Sequence, residues 1–183
     1  TTKVLYKYFL SILLVAFFFS CSWYFTRPKM ENVGIDYFEN PPISHEQVTV
    51  RWLGISTLLI DDGETQIITD AFFSRTSFTD LVLKRRIQPD PLFISNALSE
   101  LVVDRLAVVV PVHSHYDHAM DSAVVAQLTG ASVLGSSSTA NIAKSFNLPT
   151  SQIIIVDTEK AYQFGKFTVT LIESRHAPLA SNT

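Results

Sequence analysis

Hydrophobic and polar positions divide the chain into two unequal parts. Residues 8–25 form an uncharged run of 18 positions, dominated by Leu, Ile, Val, Ala and Phe. A helix of that length spans roughly 27 Å, close to a bilayer core. Lys3 and Lys7 precede it; Arg27, Pro28 and Lys29 end it. Residues 1–29 are therefore read as a membrane helix, with three variants left open: an uncleaved anchor, a lipoprotein signal acylated at Cys21, or a cleaved signal. A signal-like start places the rest of the chain on the extracytoplasmic, periplasmic side. Residues 30–47 are a linker, broken by Gly34, Pro41 and Pro42 and carrying His45.

From residue 48 the period changes. Val48, Val50 and Trp52 alternate with Thr49 and Arg51, the period of two that marks a strand. Residues 56–60 give a second strand, Asp61-Asp62-Gly63 a hairpin turn, and residues 66–69 a return strand ending at Asp70. Residues 71–91 carry no clear period; Phe72, Phe73 and Phe78 line an apolar mouth or pack in the core. Residues 94–104 have helical spacing, with Leu98, Leu101 and Val102 as the apolar side and Ser95 or Asn96 as cap.

Residues 106–110 form a short, continuous apolar run, as in a strand buried on both faces. A helix capped by Asp121 or Ser122 runs through Ala126 and Leu128 to Gly130. A strand over residues 131–134 and a helix from Ser138 or Thr139 through Phe146 come next. Residues 153–156, 161–164 and 167–172 are strands, with Gly165-Lys166 a turn. The order is α/β (α+β), with one domain over residues 48–183.

Composition narrows the chemistry. The 183 residues are 47% hydrophobic and 17% charged, with net charge −3. Lys84-Arg85-Arg86 is the densest basic cluster, too short to argue for nucleic acid. Cys21 is the one cysteine, so neither an intramolecular disulfide nor a multi-thiolate metal site can form.

Candidate chemistry gathers after the apolar run 106–110, in Pro111-Val112-His113-Ser114-His115-Tyr116-Asp117-His118. Imidazole and carboxylate are ligands that zinc and iron favour. On extended backbone, residues two apart point to one side, so His113 and His115 can share one ion. Asp117 and His118 come after a turn and can face a second ion. His176, at the end of the last strand, could close a three-histidine set, leaving zinc an open position for water. Asp117 could both bind metal and orient the nucleophile. Asp70 at its strand end is either a loop cap or a group that orients a metal ligand from behind. A structural zinc site is the alternative for the whole cluster; such sites usually take four ligands, often cysteine.

His113-x-His115-x-Asp117-His118 resembles the signature of the metallo-β-lactamase superfamily. The stretch from Trp52-Leu53-Gly54 to Thr69-Asp70 is similar to its first strands, and His176 to its third metal motif. Tyr116 and Trp52-Leu53-Gly54 bring the chain nearer the branch holding the ascorbate-6-phosphate lactonase and the phospholipase D of N-acyl phosphatidylethanolamines. The resemblance covers about residues 48–178. It implies a four-layer αββα sandwich and two divalent metal ions, zinc first, with iron or manganese as alternatives. Two departures stand out. Ile55 occupies a position where that branch often has His. The bridging Asp and final His of the second ion are expected beyond Thr183, so the chain reads as a carboxyl-terminal truncation holding the first half and the start of the second.

The expected function is a membrane-associated hydrolase in which metal-bound hydroxide attacks an ester, amide or phosphodiester. Its substrate would be a small or lipid-like molecule. A tethered, non-catalytic binding protein with a degenerate site is the alternative, and a nuclease a weaker third.

Overall fold

In the computed structural model, residues 8, 11–13, 15, 47–74, 76 and 78–174 are described, with Phe78 and Leu81 described for their backbone alone. The chain divides into two compact units, Thr1–Pro41 and Pro42–Thr183. In the first, the described residues Tyr8, Ser11, Ile12, Leu13 and Val15 are helical. Among the described residues no helix is long and apolar enough to cross a membrane. Most of the predicted membrane segment, with Cys21, lies outside the described residues, and so do His45 and His176.

The second unit is a mixed α/β fold around a central sheet. Its strands are β1 (Thr49–Gly54), β2 (Thr57–Asp61), β3 (Gln66–Thr69), β4 (Leu106–Val110), β5 (Ser132–Gly135) and β6 (Ile153–Ile155), side by side in chain order. β1, β2 and β3 run antiparallel, whereas β3 to β6 are parallel neighbours. The crossovers between parallel strands carry helices α1 (Phe78–Val82), α2 (Pro91–Glu100), α3 (Tyr116–Ala119), α4 (Ser122–Thr129) and α5 (Ser137–Ser145). β7 (Ala161–Phe164) and β8 (Phe167–Thr170) make a separate antiparallel hairpin.

Alternation along the strands divides the core in two. Leu59, Ile68, Val109 and Val133 face the helices, meeting Ile94 and Leu98 of α2 and Val125 of α4. Their neighbours Ile67, Val108, Val110 and Leu134 face the other way and are covered by Tyr162, Phe164, Phe167 and Val169 of the hairpin. The described layers are therefore helix, sheet and sheet. They correspond to three of the four layers expected; the fourth, helical layer is absent among the described residues. Fully burying one such aliphatic side chain is worth roughly 1.5–3 kcal/mol, so these two faces hold the fold.

Several expectations need correction. β1 forms as a strand, but its apolar set faces out: Val50 is 55% and Trp52 47% exposed, while Arg51 is 9% exposed. Arg51 turns inward because its Nη2 finds the carbonyl of Leu101, 2.7 Å away. Burial pushes its guanidinium pKa down, and the charge of Asp61 opposes that shift. The second helix starts at Pro91, not residue 94, with Asp90 as its cap instead of Ser95 or Asn96; the Asp90 carboxylate accepts from the Phe93 amide at 3.0 Å. Proline suits this first turn because its missing N–H would have no helical partner. That helix stops at Glu100, leaving Val102 exposed at φ 55°, outside the predicted apolar side. Ser136, rather than Ser138 or Thr139, caps α5 by accepting the Thr139 amide at 3.2 Å.

Candidate metal centre

The carboxyl ends of β3 and β4 place the candidate residues. The two strands are parallel, with Thr69 level with Val110, so Asp70 and Pro111 leave the sheet side by side. Open α/β sheets form their ligand sites at such ends. The Asp70 amide donates to the Val110 carbonyl at 3.2 Å, extending the ladder by one bond. Beyond it the backbone of Asp70 takes φ 41°, which turns the chain away and leaves its carboxylate against the β4 loop.

That carboxylate is 1% exposed. Its Oδ1 accepts the Val112 amide at 2.7 Å, and its Oδ2 lies 2.9 Å from His118 Nδ1. The carboxylate thus touches both the loop backbone and the His118 ring. A carboxylate only accepts, so Nδ1 carries the hydrogen, and in the neutral ring Nε2 is then the nitrogen with the lone pair. Ser56 Oγ stands 3.2 Å from the same Nδ1. Thr57 Oγ1 donates to the Asp70 carbonyl and accepts the Phe72 amide at 3.3 Å.

The backbone of His115 is extended, at φ −66° and ψ 154°, and caps α3, whose first turn contains Asp117. This is the extended-then-turned path expected of the motif. Nε2 of His113 and Nδ1 of His115 come within 2.9 Å, and the two rings meet edge to face with centroids 4.5 Å apart. The His113 and His118 centroids are 3.9 Å apart. After the turn, His118 Nε2 and Asp117 Oδ2 lie 3.7 Å apart. Asp117 is open to solvent, its side chain 36% exposed. The structure therefore gathers His113, His115, Asp117, His118 and Asp70 at one strand end.

Two nitrogens bound to one tetrahedral zinc sit about 3.3 Å apart, given Zn–N bonds near 2.0–2.1 Å. The His113–His115 spacing of 2.9 Å is a hydrogen-bond distance, shorter than that value, and the 3.7 Å between His118 and Asp117 joins a nitrogen to an oxygen. Imidazole and carboxylate donors, the types divalent ions take, thus stand as two adjacent pairs. Among the described residues no group of three or more His, Cys, Asp or Glu side chains is arranged to hold one ion.

Three contributors escape the sequence pattern. Ser56 and Thr57 stand out in it only as the start of a strand. Asp121 has the position of a helix cap, yet it makes no cap bond; its buried carboxylate instead accepts the amides of Phe73 and Ser74. Nothing local signals these roles, because the partners lie 13 to 62 residues away. Phe72 and Phe73 are buried, as the core reading has it, and Phe72 meets the ring of Tyr116 edge-on at 6.1 Å. Tyr116 itself is 40% exposed. A cleft of about 400 Å³ lined by Ser74, Asp80, Arg86, Asp90 and Phe93 opens beside the loop after Asp70, and none of the five clustered residues lines it.

No family model matches the chain. Over 134 residues, 71% of its length, it is 28% identical to an uncharacterized protein of Mycobacterium tuberculosis H37Rv and to one of Mycobacterium bovis. The chain spans about a third (34%) of the length of these relatives. The solved structures it is similar to include Igni18, a metallo hydrolase of Ignicoccus hospitalis, at 18% identity and a TM-score of 0.39, over 63% of this chain and 42% of that one. The metallo-β-lactamase SMB-1 is similar at 17% identity and 0.44, over 63% and 45% of the two chains. ETHE1 from Myxococcus xanthus is similar at 19% identity and 0.41, over 67% and 46%.

Proposed function

We propose that this chain is part of a metal-dependent hydrolase of the metallo-β-lactamase type, held at a membrane by residues 1–29 on the extracytoplasmic side. The single observation behind it is the pairing at the end of β4: His113 Nε2 with His115 Nδ1, and His118 Nε2 with Asp117 Oδ2. Those four side chains would hold two divalent ions, zinc first, with His176 completing the first set. Bound there, the ions would supply Lewis acidity and the means of generating a nucleophile from water at neutral pH.

The chain's own residues do the rest. Asp70 fixes the tautomer and ring plane of His118, so that Nε2 faces Asp117. Asp117, at the solvent-open edge, orients the attacking water and accepts its proton. Tyr116, 40% exposed and backed by the ring of Phe72, borders the approach. The reaction is hydrolysis of an ester, amide or phosphodiester, and the motif favours the lactonase and phospholipase branch over β-lactam cleavage. A small or lipid-like substrate fits a membrane-held enzyme, and nucleic acid does not fit a chain of net charge −3.

A second reading has its own support: two described donors per ion, and the apolar Ile55, 51% exposed, at the turn beside Ser56. On that reading the protein binds without turnover. Replacing His113 and His115 by Ala in the full-length protein decides. Metal content and hydrolysis should fall together; retained turnover would remove the proposal. A wild type holding one ion or none, without activity, would favour the binding protein.

A further inference from the structure

Asp121 is 0% exposed and stands three residues after His118, at the start of α4. A buried carboxylate is costly unless it is hydrogen-bonded. Its Oδ2 accepts the backbone N–H of Phe73 at 2.8 Å and of Ser74 at 2.6 Å. Both belong to the loop that leaves Asp70. A closed ring results. Asp70 meets His118 through Nδ1, the chain runs from His118 to Asp121, Asp121 grips Phe73 and Ser74, and the chain returns to Asp70.

One member of the ring is strained. Asp70 sits at φ 41°, a region that non-glycine residues enter at a cost. Such a conformation persists only where its surroundings hold it on both sides. Thr57 holds the Asp70 carbonyl, and Asp121 holds the chain three and four residues further on. Without the second grip, the loop could relax toward ordinary φ values, and the Asp70 carboxylate would swing off His118.

We infer that Asp121 is a positioning residue for the metal centre. By fixing residues 71–74 it keeps the Asp70 carboxylate on His118 Nδ1, and so aims His118 Nε2 at Asp117. Its functional meaning rests on the proposed role of His118 as a ligand. The coupling itself belongs to the metal-free protein and can be measured there.

The test uses the metal-free full-length protein with ¹⁵N-labelled histidine. Asp121→Ala should move the His118 ring nitrogen signals away from the single Nδ1–H tautomer, in the same direction as Asp70→Ala. Amide exchange at Phe73 and Ser74 should rise about tenfold or more as the loop opens. Asp121→Asn, which keeps one acceptor oxygen, should restore most of the wild-type signals. If Asp121→Ala does not fold, Asp121→Ser, too short to reach both amides, takes its place. A variant that loses stability while the His118 signals stay at wild-type values would overturn the inference, leaving Asp121 as a brace of the fold. A wild type that binds no metal would remove the proposed function and leave this coupling standing.

Discussion

Asp70 Oδ2 lies 2.9 Å from His118 Nδ1, across 48 residues of chain, while its other oxygen takes the Val112 amide. One buried carboxylate thus ties the histidine stretch to itself and to β3. Asp70→Ala leaves two donors without their acceptor and should cost about 1–3 kcal/mol per lost bond, seen as a lower urea midpoint. Asp70→Asn is the sharper variant. Its amide can still accept from Val112, but its NH₂ meets Nδ1 and selects the opposite tautomer of His118. Nε2 then carries the hydrogen. Metal analysis of the full-length protein should show one ion fewer per chain, with the fold retained.

Asp117 is the half-open member of the cluster, so its chemistry can be separated from stability. Asp117→Asn should change unfolding free energy by no more than about 0.5 kcal/mol, as exposed substitutions usually do. Turnover in the full-length protein should fall at least a hundredfold, roughly the lower bound for losing a general base. Equal turnover in the variant would assign the proton to another group.

The hairpin over the second face of the sheet offers a packing test. Gly165 has φ +56°, and a side chain there would run into Thr65. Lys166 next to it reaches Glu64, 2.7 Å away. Gly165→Ala should destabilise by about 1 kcal/mol from backbone conformation alone, and further from the clash. Adding Thr65→Ala should relieve the contacts of the hydroxyl and methyl, leaving the conformational cost and the close approach of the Thr65 Cβ. Urea midpoints of the two variants measure the split.

Asp62 supplies a pH dependence. The Thr65 amide, with the Glu64 amide beside it, donates to the Asp62 carboxylate and holds its pKa below the ordinary range. A carboxylate depressed in the folded state stabilises it fully above the unfolded value, about 3.9, and loses that contribution as pH falls through the folded value. Below about pH 4, urea midpoints of the wild type should therefore fall faster than those of Asp62→Asn, which has no charge to lose. Parallel curves would show that Asp62 does not carry the acid sensitivity.

How much of the fold and the site is legible in the sequence depends on how local each cause is. Strand β4 and the turn at Asp61-Asp62-Gly63 announce themselves, because an apolar run and an Asp-Gly pair act within a few residues. The convergence of His113 with His115 comes from backbone geometry alone. The inward turn of Arg51 does not, since its partner, Leu101, is 50 residues away. Asp121 misleads for the same reason: a helix start predicts a cap, and a distant pair of amides outbids it. Asp90 is easy to pass over because residues 71–91 lack a period, although Asp-Pro before a helix is itself a start signal.

The parallel pairing of β3 with β4 also sets an order of events. Antiparallel β1, β2 and β3 can close through short turns, whereas Asp70 reaches His118 only after the long crossover through α1 and α2 has closed. Loop closure of that length precedes any reward from the contact it makes. His113 and His115, two residues apart, are near neighbours even in an unfolded chain. Asp70 and His118 are not. During folding, the meeting of His113 with His115 can come early, while the orientation of His118 reports that the sheet has closed.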